Sequence, residues 1–347
     1  MIFANWKENG SIAMIEDWTY DFLKATDDEL LNNVDVGIAP SYIHIQLFKD
    51  LLEKSKVMIG AQDVDYGTNA RTSKVSASML KDFDVNFSII GHSEVRNLFN
   101  DSNEIIRKKF KTLISNKIQP ILCIGESENE LNAKQTLKVL ENQLYSVLEG
   151  ANIENCIIAY EPVWAIGTGK TPEVNLVNDI HEHIKDVVQS ATTNNFLPNV
   201  IYGGSLNEGN ASSFFGQTYI GGSLIGGASL NADSFVKIIK EYSKVINPEI
   251  DIEWVVDSNQ YAGPIESITE NLEDSNFVKE DFIQLSTVDV PWITSDLFDC
   301  LKDSIKIEDD LIMPTDGQNI HPLLSLIRPE PVSVSYTHLT LPTTPYV

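Results

Sequence analysis

Cys156-Ile157-Ile158-Ala159-Tyr160-Glu161-Pro162-Val163-Trp164-Ala165-Ile166-Gly167-Thr168-Gly169-Lys170 is a short apolar run that ends in a carboxylate and empties into a loop. Pro162 stiffens the entry to that loop, and the glycines flanking Thr168 leave its exit permissive, the construction of a lid with a hinge. Beyond it, Asn175–Ser190 carries apolar residues at helical spacing. Strand, loop and helix in that order make one unit of an α/β fold. Seven further runs show the same character: Ile2–Asn5, Val34–Ala39, Val57–Gln62, Phe87–Gly91, Gln119–Ile124, Val200–Tyr202 and Ser223–Gly226. Helical periodicity recurs at Ser11–Lys24, Ser41–Glu53, Ser102–Asn116, Asn129–Leu148 and Asn231–Lys244. Eight alternating units predict a parallel sheet, either closed into a barrel or open and doubly wound.

Either architecture places ligands at the carboxyl ends of the strands, and the chemically capable residues fall there. Glu161 can serve as a base whose proton affinity rises when a lid excludes water. A solvated strand-end glutamate is the plain alternative. His92, in Ile89-Ile90-Gly91-His92-Ser93-Glu94, can donate a hydrogen bond to a carbonyl oxygen as a neutral imidazole. The pairs Gly203-Gly204, followed by Ser205, and Gly226-Gly227 let backbone amides approach an anion, or simply make tight turns. Asn5 and Lys7, at the end of the first run, offer an amide and a positive charge. Asp27-Asp28-Glu29 reads as a solvated surface and Gly221-Gly222 as a turn.

Length and composition bound these options. The 347 residues suffice for one α/β barrel and a remainder. A hydrophobic fraction of 42% and a charged fraction of 22% exclude wholesale disorder, collagen and coiled coil. No apolar stretch is long enough to span a membrane, and no basic, apolar leader opens the chain, so a cytoplasmic protein is expected. The net charge of −25 disfavours nucleic acid and anionic membranes as partners. A phosphate site must therefore rely on backbone N–H groups and a single lysine. Cys123, Cys156 and Cys300 are too few and too scattered for a disulfide framework or a CxxC metal site. From Asn247 onward 19 acidic residues face four basic ones, which leaves −15 there and −10 on the first 246 residues. That shift marks a domain boundary near Pro248.

The motifs Asn5-Trp6-Lys7, Gly91-His92-Ser93-Glu94, Cys123-Ile124-Gly125-Glu126, Ala159 to Lys170, Tyr202-Gly203-Gly204-Ser205 and Gly226-Gly227-Ala228-Ser229-Leu230, in this order, closely resemble the triosephosphate isomerase family over residues 1–246. The resemblance implies a (β/α)8 TIM barrel that interconverts dihydroxyacetone phosphate and glyceraldehyde 3-phosphate through an enediolate, in glycolysis and gluconeogenesis. It also implies roles. Glu161 takes the carbon-bound proton, His92 polarises the carbonyl, and Lys7 and Asn5 stabilise the enediolate. Backbone amides at Gly167, Gly226 and Gly227, with Ser205, hold the phosphate. Neither a metal nor an organic cofactor is called for. The family is a known case of acid–base tuning, in which a neutral histidine acts as electrophile beside a glutamate base.

Some positions depart from the family pattern. Glu8 follows the lysine where an apolar residue is usual, Ala4 stands where glycine is common, and Val95 replaces an arginine. Loop 67–74 keeps Thr72 but has Asn69, Arg71, Ser73 and Lys74 where glycine, an aromatic, glycine and glutamate are usual. The implied homodimer through the barrel is thus expected to be weakened or altered at this loop. A catalytically silent phosphate-binding barrel is the alternative that such changes raise.

Residues 251–330, through Trp254-Val255-Val256-Asp257, Leu285 to Ile293 and His321-Pro322-Leu323-Leu324, resemble the middle of a molybdenum cofactor guanylyltransferase-like nucleotidyltransferase. That resemblance implies a magnesium-binding aspartate at Asp289. The Gly-rich loop that opens such a domain has no counterpart between Lys244 and Ile250, so residues 247–332 are expected to be a truncated α/β segment without transferase activity. A bifunctional fusion is the competing reading. Residues 333–347 resemble a translated transposon-end adapter and are read as a non-native tail.

Overall fold

The computed structural model describes residues 1–246, apart from Thr68 and Gly169, and three two-residue strands further along. The chain divides into two units, Met1–Ile250 and Asp251–Val347.

In the first unit the eight apolar runs become β1 (Ile2–Asn5), β2 (Val36–Ala39), β3 (Met58–Ala61), β4 (Phe87–Ile90), β5 (Gln119–Ile124), β6 (Ile157–Tyr160), β7 (Asn199–Tyr202) and β8 (Ser223–Ile225). Each pairs in parallel with the next, and β1 also pairs with β8 through Ile2 opposite Ser223 and Ala4 opposite Ile225. The sheet therefore closes, which decides between the two architectures that periodicity allowed. Strands covered on both faces have little reason to alternate polar and apolar residues, which is why they read as short continuous runs.

The barrel interior is filled by side chains that include Phe3, Phe87, Ile89, Ile121, Ile157 and Ile201. Phe3 and Phe87 meet edge to face with ring centres 4.9 Å apart. Gly60 makes room for them: a Cβ there would lie 2.2 Å from the Phe87 ring. A second, larger apolar layer lies between the strands and the surrounding helices and contains Trp6, Trp18, Phe22, Phe48 and Phe235.

The helices are α1 (Ile12–Ala25), α2 (Asp28–Asn33), α3 (Ile45–Leu51), α4 (Ala77–Asp82), α5 (Ser93–Leu98), α6 (Asn103–Ser115), α7 (Glu128–Asn132), α8 (Thr136–Leu148), α9 (Val174–Ala191), α10 (Ala211–Phe215) and α11 (Ala232–Ile246). Asp27, Asp28 and Glu29 are exposed, as expected. Asp27 has a further role: its side chain accepts from Leu30 N at 2.8 Å and caps α2, with Asp28 and Glu29 in the first turn, where acidic residues suit the helix dipole. Two expectations are corrected. The single helix expected over Asn129–Leu148 is two. Ser127 and Glu130 form a capping box that starts α7, and Lys134 at φ 57° breaks the chain before α8. Gly221-Gly222 is not itself the turn, which falls at Thr218-Tyr219; Gly221 N already pairs with Val200 O, and Gly222, at φ 144°, lies so close to Met1 that a Cβ would come within 1.8 Å of its carbonyl oxygen.

In the second unit, β9 (Ile283–Gln284), β10 (Leu311–Ile312) and β11 (Leu326–Ile327) form an antiparallel sheet with β11 in the middle. Apart from these strands, the segment expected to resemble a nucleotidyltransferase lies outside the described residues, as do Asp289, for which that resemblance implied magnesium binding, Cys300 and the tail 333–347.

Candidate active site

At the end of β1, Asn5 is buried and its Oδ1 accepts from Lys7 N at 3.2 Å. Lys7 sits at φ 51°, a left-handed conformation that costs a residue with a Cβ about 1 kcal/mol or more. Neighbouring side chains offset that cost. Gln62, just past β3, donates from Nε2 to Lys7 O at 2.7 Å and to Ala39 O at 3.0 Å, and Ser41 Oγ donates to Lys7 O at 3.1 Å. The Lys7 ammonium is thereby aimed across the barrel mouth, where it meets Glu94 Oε1 at 2.6 Å.

After β4, Gly91 takes φ 70° and turns the chain into α5. His92 caps that helix: its Nδ1 accepts from Glu94 N at 3.2 Å. A backbone N–H can only donate, so in the neutral ring the proton belongs on Nε2. Nε2 lies 3.5 Å from Glu161 Oε1.

Glu161 follows β6 and is 2% exposed. Its Oε2 accepts from Ser93 N at 3.3 Å. Two glycines give it space. A Cβ at Gly203 would fall 2.6 Å from Glu161 Cγ, and one at Gly125 would fall 1.7 Å from the Glu161 carbonyl oxygen. Beneath it the Cys123 thiol is held protonated, first by burial and then by the nearby carboxylate of Glu161.

The loop after β6, where a lid is expected, begins as a 3-10 turn over Val163–Ala165. Trp164 Nε1 donates to Glu126 Oε1 at 2.9 Å, and Tyr160 OH donates to the same carboxylate at 3.1 Å. Burial raises the Glu126 carboxyl above the ordinary range against the pull of these donors. Ser205 Oγ donates to Ala165 O at 2.6 Å, which ties this loop to the turn after β7. Gly167 lies in the left-handed region at φ 66°; Gly169, the other glycine of the expected hinge, lies outside the described residues.

After β8, the 3-10 turn Gly227–Leu230 presents N–H groups at its head that have no partner within so short a helix. Ser229 Oγ donates to Gly226 O at 2.6 Å and Trp18 Nε1 to Ser229 O at 3.0 Å, so the turn is fixed before any ligand arrives.

All eight expected site residues, Asn5, Lys7, His92, Glu161, Gly167, Ser205, Gly226 and Gly227, line one cavity of about 360 Å³. Carboxylate, imidazole, ammonium and glycine turns thus share one cavity, an arrangement suited to proton transfer on a small anion whose charge is held by backbone amides. Glu8 is exposed and does not line the cavity, and Ala4 is buried within β1. Gln62, Ser93, Arg96 and Glu126 have no role that the sequence alone assigns. Ser93 and Glu126 stand there only as members of the motifs that carry the resemblance, and Gln62 and Arg96 only by lying within a few residues of a strand end or a candidate residue.

Loop 67–74 contributes Arg71 to a local cluster. The Arg71 guanidinium is bonded to the Asp65 carboxylate and lies 4.6 Å over the Tyr66 ring.

The family model described as triosephosphate isomerase matches residues 1–242. The triosephosphate isomerase of Mycoplasmoides gallisepticum is 42% identical over 248 residues, which cover 69% of this chain and 96% of that relative. That of Sodalis glossinidius is 43% identical over 249 residues, covering 69% and 95%. That of Salmonella newport is 41% identical over 245 residues, again covering 69% and 95%.

Proposed function

From the premise that this chain belongs to the triosephosphate isomerase family, we propose how its own residues divide the work of interconverting dihydroxyacetone phosphate and glyceraldehyde 3-phosphate. Glu161 removes a proton from the carbon next to the carbonyl and returns it to the adjacent carbon. His92, as a neutral imidazole, donates from Nε2 to the carbonyl oxygen and helps pass the hydroxyl proton. Lys7 and Asn5 stabilise the negative oxygen of the enediolate. The N–H groups of Gly167, Gly226 and Gly227, with Ser205, hold the phosphate, and the lid keeps water from the intermediate.

One observation carries this reading: Glu161 and His92 face each other 3.5 Å apart in the same cavity as Lys7 and the glycine turns. In this structure Glu161 Oε2 accepts from Ser93 N at 3.3 Å, which orients the carboxylate. The reaction needs only proton transfer, and the proposed site uses no metal or organic cofactor.

A homodimer through the barrel and a cytoplasmic location in glycolysis and gluconeogenesis complete the proposal. The dimer is supported by exposed apolar side chains near loop 67–74, among them Ile43 and Phe99, which are 84% and 73% exposed. Among the described residues, no helix is long and apolar enough to cross a membrane.

The test is isomerisation of glyceraldehyde 3-phosphate by the full chain beside Glu161→Gln. Turnover that disappears in the variant supports the assignment; equal turnover in both removes Glu161 from the role of base. Sedimentation of the full chain tests the dimer.

A further inference from the structure

A second, polar chamber of about 180 Å³ shares Glu161 with the substrate cavity. Gly91, Ser93 and Arg96 also line it, and Arg96 is the one cation among its lining residues. Among the described residues, every side-chain hydrogen bond of this guanidinium goes to a neutral oxygen. Nε donates to Gly91 O at 2.7 Å, Nη1 to Asn103 Oδ1 at 2.7 Å and Nη2 to Cys123 O at 3.1 Å. One planar fork thus joins the end of β4, the end of β5 and the start of α6.

We propose that Arg96 is a positioning residue for the isomerase reaction: by fixing the Gly91 carbonyl it sets the turn that presents the His92 ring to the substrate and Ser93 N to Glu161. This rests on the roles assigned above to His92 and Glu161. Gly91 immediately precedes His92 and lies in the left-handed region, where the backbone has few side-chain constraints of its own. A Cβ at Gly91 would lie 3.0 Å from Arg96 Nη2 and 3.0 Å from Cys123 O, which shows how closely the fork is packed against the turn. Arg96 also belongs to the helix that His92 caps, and its own N–H donates to His92 O at 3.0 Å. The two peptide groups that flank the His92 Cα are therefore both held, the preceding one by the Arg96 side chain and the following one by the Arg96 backbone. A lysine cannot reproduce this, because a single ammonium has no rigid fork to span three separated acceptors.

The phosphate turns lie on other strands, so loosening the His92 turn should slow the chemistry and leave binding in place. The experiment measures kcat and KM for glyceraldehyde 3-phosphate in full-length Arg96→Lys and Arg96→Gln, with thermal midpoints as the check on folding. The expected result is a kcat at least about tenfold lower at a KM within about twofold of the parent. A parental kcat in folded Arg96→Lys overturns the proposal, as does a loss that only follows the unfolded fraction. Should neither variant fold, Asn103→Ala decides it by removing one of the three tethers. A lowered kcat at unchanged KM then supports the proposal, and a parental kcat overturns it. Glu161→Gln, run alongside, separates the two levels: if that variant keeps its turnover, the assignment of the base has failed, whatever Arg96 does.

Discussion

Lys7 Nζ and Glu94 Oε1 are 2.6 Å apart, although the two residues are 87 positions apart in sequence and follow different strands of the barrel. Both side chains are partly exposed, at 31% and 45%, so the pair adds little to folding, at most about 1 kcal/mol. Its value is to hold the ammonium at the mouth of the cavity. Lys7→Met is expected to lower kcat/KM by roughly 10²-fold or more, from lost charge stabilisation of the enediolate. The thermal midpoint should stay close to the parent's. Steady-state kinetics and a thermal melt on the same preparation check both halves.

Glu161→Asp keeps the carboxylate and shortens its arm by one methylene. In the proposed assignment the glycine turns hold the substrate phosphate, so KM should change little, while kcat falls by roughly 10²-fold or more because the base no longer reaches the carbon proton. Parental kcat in this variant would remove Glu161 from the role of base.

Gly203 is expected to be intolerant of even one methyl group. A Cβ there would sit 2.6 Å from Glu161 Cγ, and the glutamate side chain can yield only by leaving its place beside His92. Gly203→Ala should fold and lose kcat. Gly125→Ala meets backbone at 1.7 Å, cannot be relieved by a rotamer, and should lose stability instead. Comparing kcat and melting temperature in the two variants distinguishes a displaced base from a damaged barrel.

His181, on α9, is fully buried, and burial pushes its proton affinity down from 6.5 to about 3, with nearby Lys185 acting in the same direction and the Tyr219 carbonyl opposing. Below pH 6.5 the unfolded chain binds a proton that the folded chain refuses until about pH 3. Stability is thus lost as pH falls through that window, by about 2 kcal/mol between pH 6.5 and 5. The parent should melt about 4–8 °C lower at pH 5 than at pH 6.5. His181→Gln should show a shallower slope, and an unchanged slope would assign the effect to other groups.

The alternation of runs and periodic stretches was legible because β and α periodicities are local properties of the chain. The site residues were legible for a related reason: a parallel α/β unit delivers whatever follows its strand to one face of the sheet. Helix boundaries were less so, since Asp27 works as a cap only once Leu30 N is within reach, and Lys134 interrupts a pattern that otherwise reads as one helix.

By itself, the sequence determined that eight βα units exist, in what order, and that a carboxylate, an imidazole, an ammonium and glycine turns stand at their strand ends. Closure was beyond it, because β1 and β8 pair across more than 200 residues and nothing local distinguishes that pairing from an open edge. Only the tertiary structure placed Glu161 against His92 and Ser93, held Lys7 in its strained conformation through Gln62 and Ser41, and carried the Arg96 fork under the His92 turn. Each of these depends on side chains meeting from different strands. Such meetings are fixed by barrel packing as a whole, which no local stretch of sequence encodes.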